Sequence, residues 1–276
     1  MSPLCRRLVF VLACGLSACT SFPAPEERRA LADTLAASRD WEAVELSAGL
    51  FDLRAYLPRK IERNVRLTVY IEGDGLAWVS SSQPSFDPTP RDPLALRLAL
   101  AQPEGNTAYL ARPCQFNNAA AKVCAERYWT GQRFAPEVIE ATNLALDQLK
   151  ALFGAQHLIL VGYSGGGAVA TLLASQRGDI ERLVTVAGNL DTASWTALHR
   201  VSPLSGSLNP ADFAARLSTL PQTHFVGERD KVIPPKLVHH YPTEFLGPGR
   251  KNLKVLQGFD HACCWAEHWV RLWQEQ

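Results

Sequence analysis

The stretch His157-Leu158-Ile159-Leu160-Val161-Gly162-Tyr163-Ser164-Gly165-Gly166-Gly167-Ala168-Val169-Ala170-Thr171-Leu172-Leu173 decides the fold. Residues 158–161 are continuously apolar, as in a strand buried on both faces. A run of small residues interrupts them, and small and aliphatic residues then continue as a helix. Strand, sharp turn and helix place Ser164 at the tip of a G-x-S-x-G pattern formed by Gly162, Ser164 and Gly166. The glycines have a mechanical purpose: side chains there would collide with neighbouring backbone and prevent the serine hydroxyl from projecting. The helix start also offers free backbone N–H groups and the positive end of a dipole. A competing pattern, Gly165-x-Gly167-x-x-Ala170 with Asp191 about twenty residues on, is that of a dinucleotide cradle. It fits less well, because its first glycine comes several residues after the strand and the turn lies mid-chain.

The chain alternates regularly around this turn. Strand-like apolar runs occur at residues 67–71, 107–110, 157–161, 183–186, 223–226 and 253–256, with an earlier one at 51–56. Helical patterns lie between or after them at 93–101, 136–153, 166–176, 235–241 and 263–273. Such alternation predicts an α/β fold with a mostly parallel central sheet flanked by helices on both faces. In these sheets reactive groups gather past the carboxyl ends of the strands. Every candidate is therefore expected just after a strand.

Two further residues meet that condition. Asp230 follows the 223–226 run in Gly227-Glu228-Arg229-Asp230-Lys231-Val232-Ile233-Pro234, and His261 follows the 253–256 run in Gln257-Gly258-Phe259-Asp260-His261. A serine hydroxyl is a weak nucleophile until an imidazole accepts its proton. The imidazole in turn needs a carboxylate to fix its tautomer. Competing acids are Glu228, Asp191 after the preceding strand, and Asp260 beside the histidine. The other histidines precede the required position or lie inside elements.

Ser164, Asp230 and His261, in that order and each after a strand, make residues 67–273 resemble the α/β-hydrolase superfamily of serine hydrolases. The resemblance implies that Ser164 is the nucleophile, Asp230 the acid and His261 the base. It also implies an oxyanion loop after the 67–71 strand, here Glu72-Gly73-Asp74-Gly75-Leu76-Ala77-Trp78. The backbone amide of Asp74 or Gly75 is expected to pair with that of Gly165. Glu72 departs from the histidine usual in the family and brings two carboxylates, Glu72 and Asp74, near the site. Residues 112–116 and 128–134 are placed at the same mouth. The interval 191–220 has room for a short helical cap but not for a large lid.

The totals are those of an ordinary globular protein. The chain has 276 residues and a formal net charge of +1. That balance offers nothing to a polyanion, and no nucleic-acid motif is present. The first residues differ from the rest. Arg6 and Arg7 precede an apolar run at 8–16, followed by Leu16-Ser17-Ala18-Cys19. This describes an export signal and resembles the lipobox of bacterial lipoproteins, which implies acylation of Cys19. Residues 1–18 are then a signal peptide, 19–46 a tether and surface helix, and 47–276 the hydrolase domain. With Thr20 rather than Asp after the cysteine, the same resemblance implies the outer membrane, facing the periplasm, with the lipid anchor as the membrane contact.

Four cysteines would remain in the exported domain: Cys114, Cys124, Cys263 and Cys264. Cys114 and Cys124 are the disulfide candidate, whereas a bond between the neighbours Cys263 and Cys264 is strained, leaving at least one free. No Cys-x-x-Cys ligand spacing exists for zinc. The expected chemistry is hydrolysis of an ester or related acyl bond in a small-molecule or lipid substrate, with no metal or organic cofactor. A non-catalytic envelope lipoprotein using the same fold for binding is the alternative.

Overall fold

The computed structural model describes residues 22–117, 123–239, 241 and 251–275. The signal segment 1–18 and Cys19 lie outside the described residues. Eight strands make one sheet: β1 (Trp41–Ala48), β2 (Phe51–Pro58), β3 (Arg66–Ile71), β4 (Thr107–Leu110), β5 (His157–Tyr163), β6 (Ile180–Val186), β7 (Gln222–Gly227) and β8 (Lys251–Leu256). Their order across the sheet is β1-β2-β4-β3-β5-β6-β7-β8. β1 and β2 form an antiparallel hairpin, and β2 also runs antiparallel to β4. All other neighbouring pairs are parallel.

Helices cover both faces, as the alternation of apolar runs predicts. On one side α3 (Pro136–Phe153) and α4 (Gly165–Ala174) pack against Leu67, Val69, Ile71, Leu158 and Leu160. On the other, α1 (Pro25–Ala37), α2 (Leu94–Ala101) and α7 (Trp265–Gln274) pack against Tyr70, Val161, Val184 and Phe225. Successive residues of β3 thus feed opposite cores, following the two-residue period of a strand. α3 has its stop signals in sequence: Pro136 opens it, and Gly154 closes it in the left-handed region at φ +64°.

β1 takes in residues 41–46, which the sequence had grouped with a tether and surface helix. Glu42 and Glu45 are exposed on opposite faces, and only Trp41, Leu46 and Ala48 are buried, so the apolar pattern of a strand is faint. Pairing with β2 supplies what the sequence hides: Arg54 on β2 donates to Glu45 across the hairpin at 2.7 Å. α1 is likewise anchored, with Ala32 and Ala36 buried and Arg28 donating to the carbonyls of Asp87 and Thr89.

The chain leaves β3 in one direction to reach β4 and crosses back to place β5 on the other side of β3. At such a switch point the loops on either side diverge and leave a crevice. The segments after β3 and after β5, carrying Asp74 and Ser164, flank it. The interval 191–220 folds as α5 (Thr192–His199) and the 3-10 helix Pro210–Leu217.

The expected pairing of Cys114 with Cys124 is present as a disulfide. The structure also joins Cys263 to Cys264, across a cis peptide. This differs from the expectation that one of these two stays free.

Candidate active site

Ser164 stands between β5 and α4 with φ +52° and ψ −119°, a conformation uncommon for a residue with a side chain. Close approach on every side maintains it. A β-carbon on Gly162 would run into the Gly166 carbonyl and fall 2.6 Å from the Gly167 α-carbon. One on Gly166 would strike the Ile71 carbonyl of β3. The Ser164 amide donates to Val186 of β6 at 3.0 Å, and its carbonyl accepts from Asn189 at 3.0 Å. The turn is therefore gripped by the strands on both sides.

His261 comes after β8 and reaches this serine, its Nε2 lying 3.0 Å from Ser164 Oγ. Its Nδ1 lies 2.8 Å from Asp230 Oδ2. Asp230 is buried, and its other oxygen accepts the N–H groups of Val232 and Ile233, each at 2.7 Å. The competing acids are engaged elsewhere. Asp191 caps α5 through Ala193 and Ser194, Glu228 accepts the Gly258 N–H, and Asp260 accepts those of Ala262 and Cys263. The cap role of Asp191 also gives that residue a local purpose that requires no ribose.

Two aromatic residues that the sequence did not single out hold the histidine. Tyr163 donates its hydroxyl to the His261 carbonyl at 3.2 Å, and Trp265 Nε1 donates to the same carbonyl at 3.1 Å. The Tyr163 ring lies 5.4 Å from the imidazole. Tyr163 is the variable residue of the G-x-S-x-G pattern, so no motif marks it.

The loop after β3 meets the serine turn from the opposite side. Several of its polar groups are engaged. Glu72 accepts the Gly73 N–H at 2.9 Å, Gln115 donates to the Gly73 carbonyl at 2.9 Å, and Leu76 N–H donates to Pro88. No protein acceptor is recorded for the N–H groups of Asp74 and Gly75 among the described residues. Gly165, as the first residue of α4, has no carbonyl one turn back to receive its N–H. The amides expected to receive an oxyanion, those of Asp74, Gly75 and Gly165, thus have no protein acceptor among the described residues. A β-carbon on Gly75 would collide with the Pro88 carbonyl, and its φ of +64° also favours glycine.

The two extra carboxylates find different environments. Glu72 is buried, and burial pushes its carboxyl up to about 7 against the pull of the Gly73 and Ala95 amides and the Tyr109 hydroxyl. Burial also opposes ionisation of Asp74, but the guanidiniums of Arg133 and Arg112 outweigh it and hold that carboxyl below its ordinary value. Arg133 Nη1 lies 2.7 Å from Asp74 Oδ2, and Arg112 Nη1 lies 3.3 Å from Oδ1. Both arginines lie in the two segments, 112–116 and 128–134, that the sequence places at this mouth. Among the described residues, no cluster of three or more His, Cys, Asp or Glu side chains could hold a metal ion.

No protein-family model and no curated protein matches the chain by sequence. Solved structures do match it. An esterase of Pyrococcus furiosus, Pf2001, aligns over 91% of this chain and 93% of its own at 13% identity, with a TM-score of 0.60. Est1E from Butyrivibrio proteoclasticus covers 84% of this chain and 96% of its own at 15% identity and a TM-score of 0.57. An α/β serine hydrolase without a lid from Xanthomonas campestris covers 85% and 95% at 14% identity, with a TM-score of 0.53. The chain has the α/β-hydrolase fold. Within that fold, Ser164, Asp230, His261 and the Asp74 loop all stand at the carboxyl edge of the sheet, where side chains from separate strands can converge.

Proposed function

We propose that the protein is a serine hydrolase that cleaves an ester or related acyl bond. The observation that carries this reading is the continuous hydrogen-bonded line from Ser164 Oγ through the two nitrogens of His261 to Asp230. In the proposed reaction Ser164 attacks the acyl carbonyl while His261 Nε2 takes its proton. Asp230 holds the proton on Nδ1 and stabilises the imidazolium. The carbonyl oxygen becomes an oxyanion and rests on the amides of Asp74 or Gly75 and of Gly165. His261 then returns the proton to the leaving group. Water, deprotonated by the same imidazole, releases the acyl group from Ser164. The residues invoked need no cofactor for these steps.

The structural neighbours named as esterases and serine hydrolases support hydrolysis as the kind of chemistry to test first. The test is labelling of the full chain in detergent with a fluorophosphonate probe, beside Ser164→Ala and His261→Ala. Labelling lost in both variants supports an activated serine. A folded wild type that does not label overturns the reading and leaves a binding protein built on the hydrolase fold.

We also propose that the enzyme works at the bacterial envelope, held by lipid on Cys19 at the outer membrane and facing the periplasm. The basic, apolar and small-residue order of residues 6–19 supports this. No described helix is long and apolar enough to cross a membrane. Cys19→Ala should move the protein from the membrane fraction to the soluble fraction of fractionated cells, and unchanged retention would refute the anchor.

A further inference from the structure

Asp74 presents an electrostatic difficulty for the proposed hydrolase. Its carboxylate lies against the α-carbon of Gly165, so closely that a β-carbon there would fall 2.6 Å from Asp74 Cγ. Gly165 carries one of the amides that would receive the oxyanion, and the Asp74 amide is another. A bare negative charge at this point would oppose the charge developing on the substrate oxygen, with little water between them to screen it.

Two guanidiniums surround that single carboxylate. The side chains of Arg112 and Arg133 are 5% and 8% exposed and that of Asp74 is 21% exposed, so the group is largely withdrawn from water. They come from separate loops and are fixed independently of Asp74. Arg133 Nε donates to the Thr130 carbonyl at 2.7 Å, and Arg112 Nη2 donates to the Arg133 carbonyl. Arg112 also lies over the Phe134 ring at 5.2 Å, and Arg133 is 6.0 Å from the Trp195 ring. The other carboxylate close by, Glu72, is shifted toward its neutral form by burial. Two positive charges therefore face one firmly ionised partner.

Resting on the hydrolase reading above, we infer that Arg112 and Arg133 are positioning residues of the oxyanion site. They act through Asp74 in two ways. Their grip on its carboxylate fixes the loop after β3, which carries the amides proposed for the oxyanion, while Glu72 and Gln115 hold Gly73. Their charge also converts an opposing carboxylate into part of a group with a net positive charge beside the oxyanion. Such preorganised charge favours the transition state over the ground state, and its loss should appear in kcat rather than KM.

The two roles make a prediction that an ordinary structural ion pair does not. Arg133→Met leaves Asp74 less neutralised beside the oxyanion, and Asp74→Asn in the same chain removes the offending charge. The experiment measures p-nitrophenyl butyrate hydrolysis by the full chain in detergent, together with inhibition by a trifluoromethyl ketone that forms an oxyanion on the serine. Arg133→Met is expected to lower kcat about a hundredfold, to weaken the ketone by a similar factor, and to change KM by less than about threefold. Arg133→Lys should recover part of the loss. The Asp74→Asn/Arg133→Met double variant should be at least about tenfold faster than Arg133→Met alone. Arg112→Met with and without Asp74→Asn gives the same comparison from the second guanidinium, and stands in if Arg133→Met does not fold.

A double variant as slow as or slower than the single, or a loss confined to KM, would overturn the inference while wild-type labelling of Ser164 leaves the hydrolase reading intact. A wild type that neither labels nor hydrolyses the ester would overturn both.

Discussion

Asp230 illustrates how one atom's surroundings determine another's protonation. Its Oδ1 is pinned as an acceptor by the amides of Val232 and Ile233, leaving Oδ2 for His261. In Asp230→Asn the remaining oxygen would stay on those amides and the new NH2 group would face Nδ1. The imidazole would then carry its proton on Nε2, pointing at Ser164, and could not act as a base. We expect kcat to fall by about 10⁴ with little change in thermal midpoint, as in other triads with this defect; steady-state kinetics beside calorimetry checks both. Glu72 yields a second prediction. Its carboxyl is raised from 4.5 to about 7 in the folded protein. Between these values the unfolded chain has already released a proton that the folded chain still holds, so stability falls as pH rises through this window. Glu72→Gln keeps an acceptor for Gly73 N–H and should remove this slope, worth on the order of 3 kcal/mol between pH 4.5 and 8. Urea unfolding of both proteins at several pH values measures it.

At the scale of elements, the turn from β5 to α4 depends on backbone contacts that only glycine permits. Gly166 touches the carbonyls of Ile71 and Glu72, and a β-carbon has no flexible side chain there to displace. Gly166→Ala should therefore separate α4 from β3 and cost at least the roughly 1–3 kcal/mol of an overpacked core. Gly178, beyond the end of α4, has nothing within 4 Å of its would-be β-carbon. Gly178→Ala should change stability by less than about 0.5 kcal/mol. Denaturation midpoints of the pair show whether the elbow's close contacts or general glycine flexibility matters. The turn was legible in sequence because strand, glycine cluster and helix are contiguous and each obeys a local rule. β1 was not legible, because exposed glutamates fall on both of its faces and break the two-residue period, and its partner strand supplies the missing evidence. The aromatic support of His261 was hidden for a different reason: Tyr163 and Trp265 act on a carbonyl, which leaves no mark on the residue type.

For the molecule as a whole, α7 ties the end of the chain to the middle of the sheet. Trp269 is fully buried, donates Nε1 to the Tyr70 hydroxyl of β3 at 2.8 Å, and meets the Phe225 ring of β7 at 5.9 Å. Since α7 begins shortly after His261, this anchor also sets where the histidine's loop must end. Trp269→Ala should cost about 3–5 kcal/mol in urea unfolding, from lost burial and from a Tyr70 hydroxyl deprived of its donor. A cost below about 1 kcal/mol would mean that α7 is docked by its other contacts alone.

The sequence by itself determined the alternating α/β architecture, the serine turn and the placement of Asp230 and His261 just past strands. Each of these follows from a short run of residues obeying local steric and periodic rules. Only the tertiary structure brought Asp230 to His261, turned its rival acids to other partners, and made Arg112 and Arg133 meet on Asp74. Those outcomes depend on contacts between segments tens to nearly a hundred residues apart, where a single ångström separates a hydrogen bond from none. No local pattern of side chains encodes that distance.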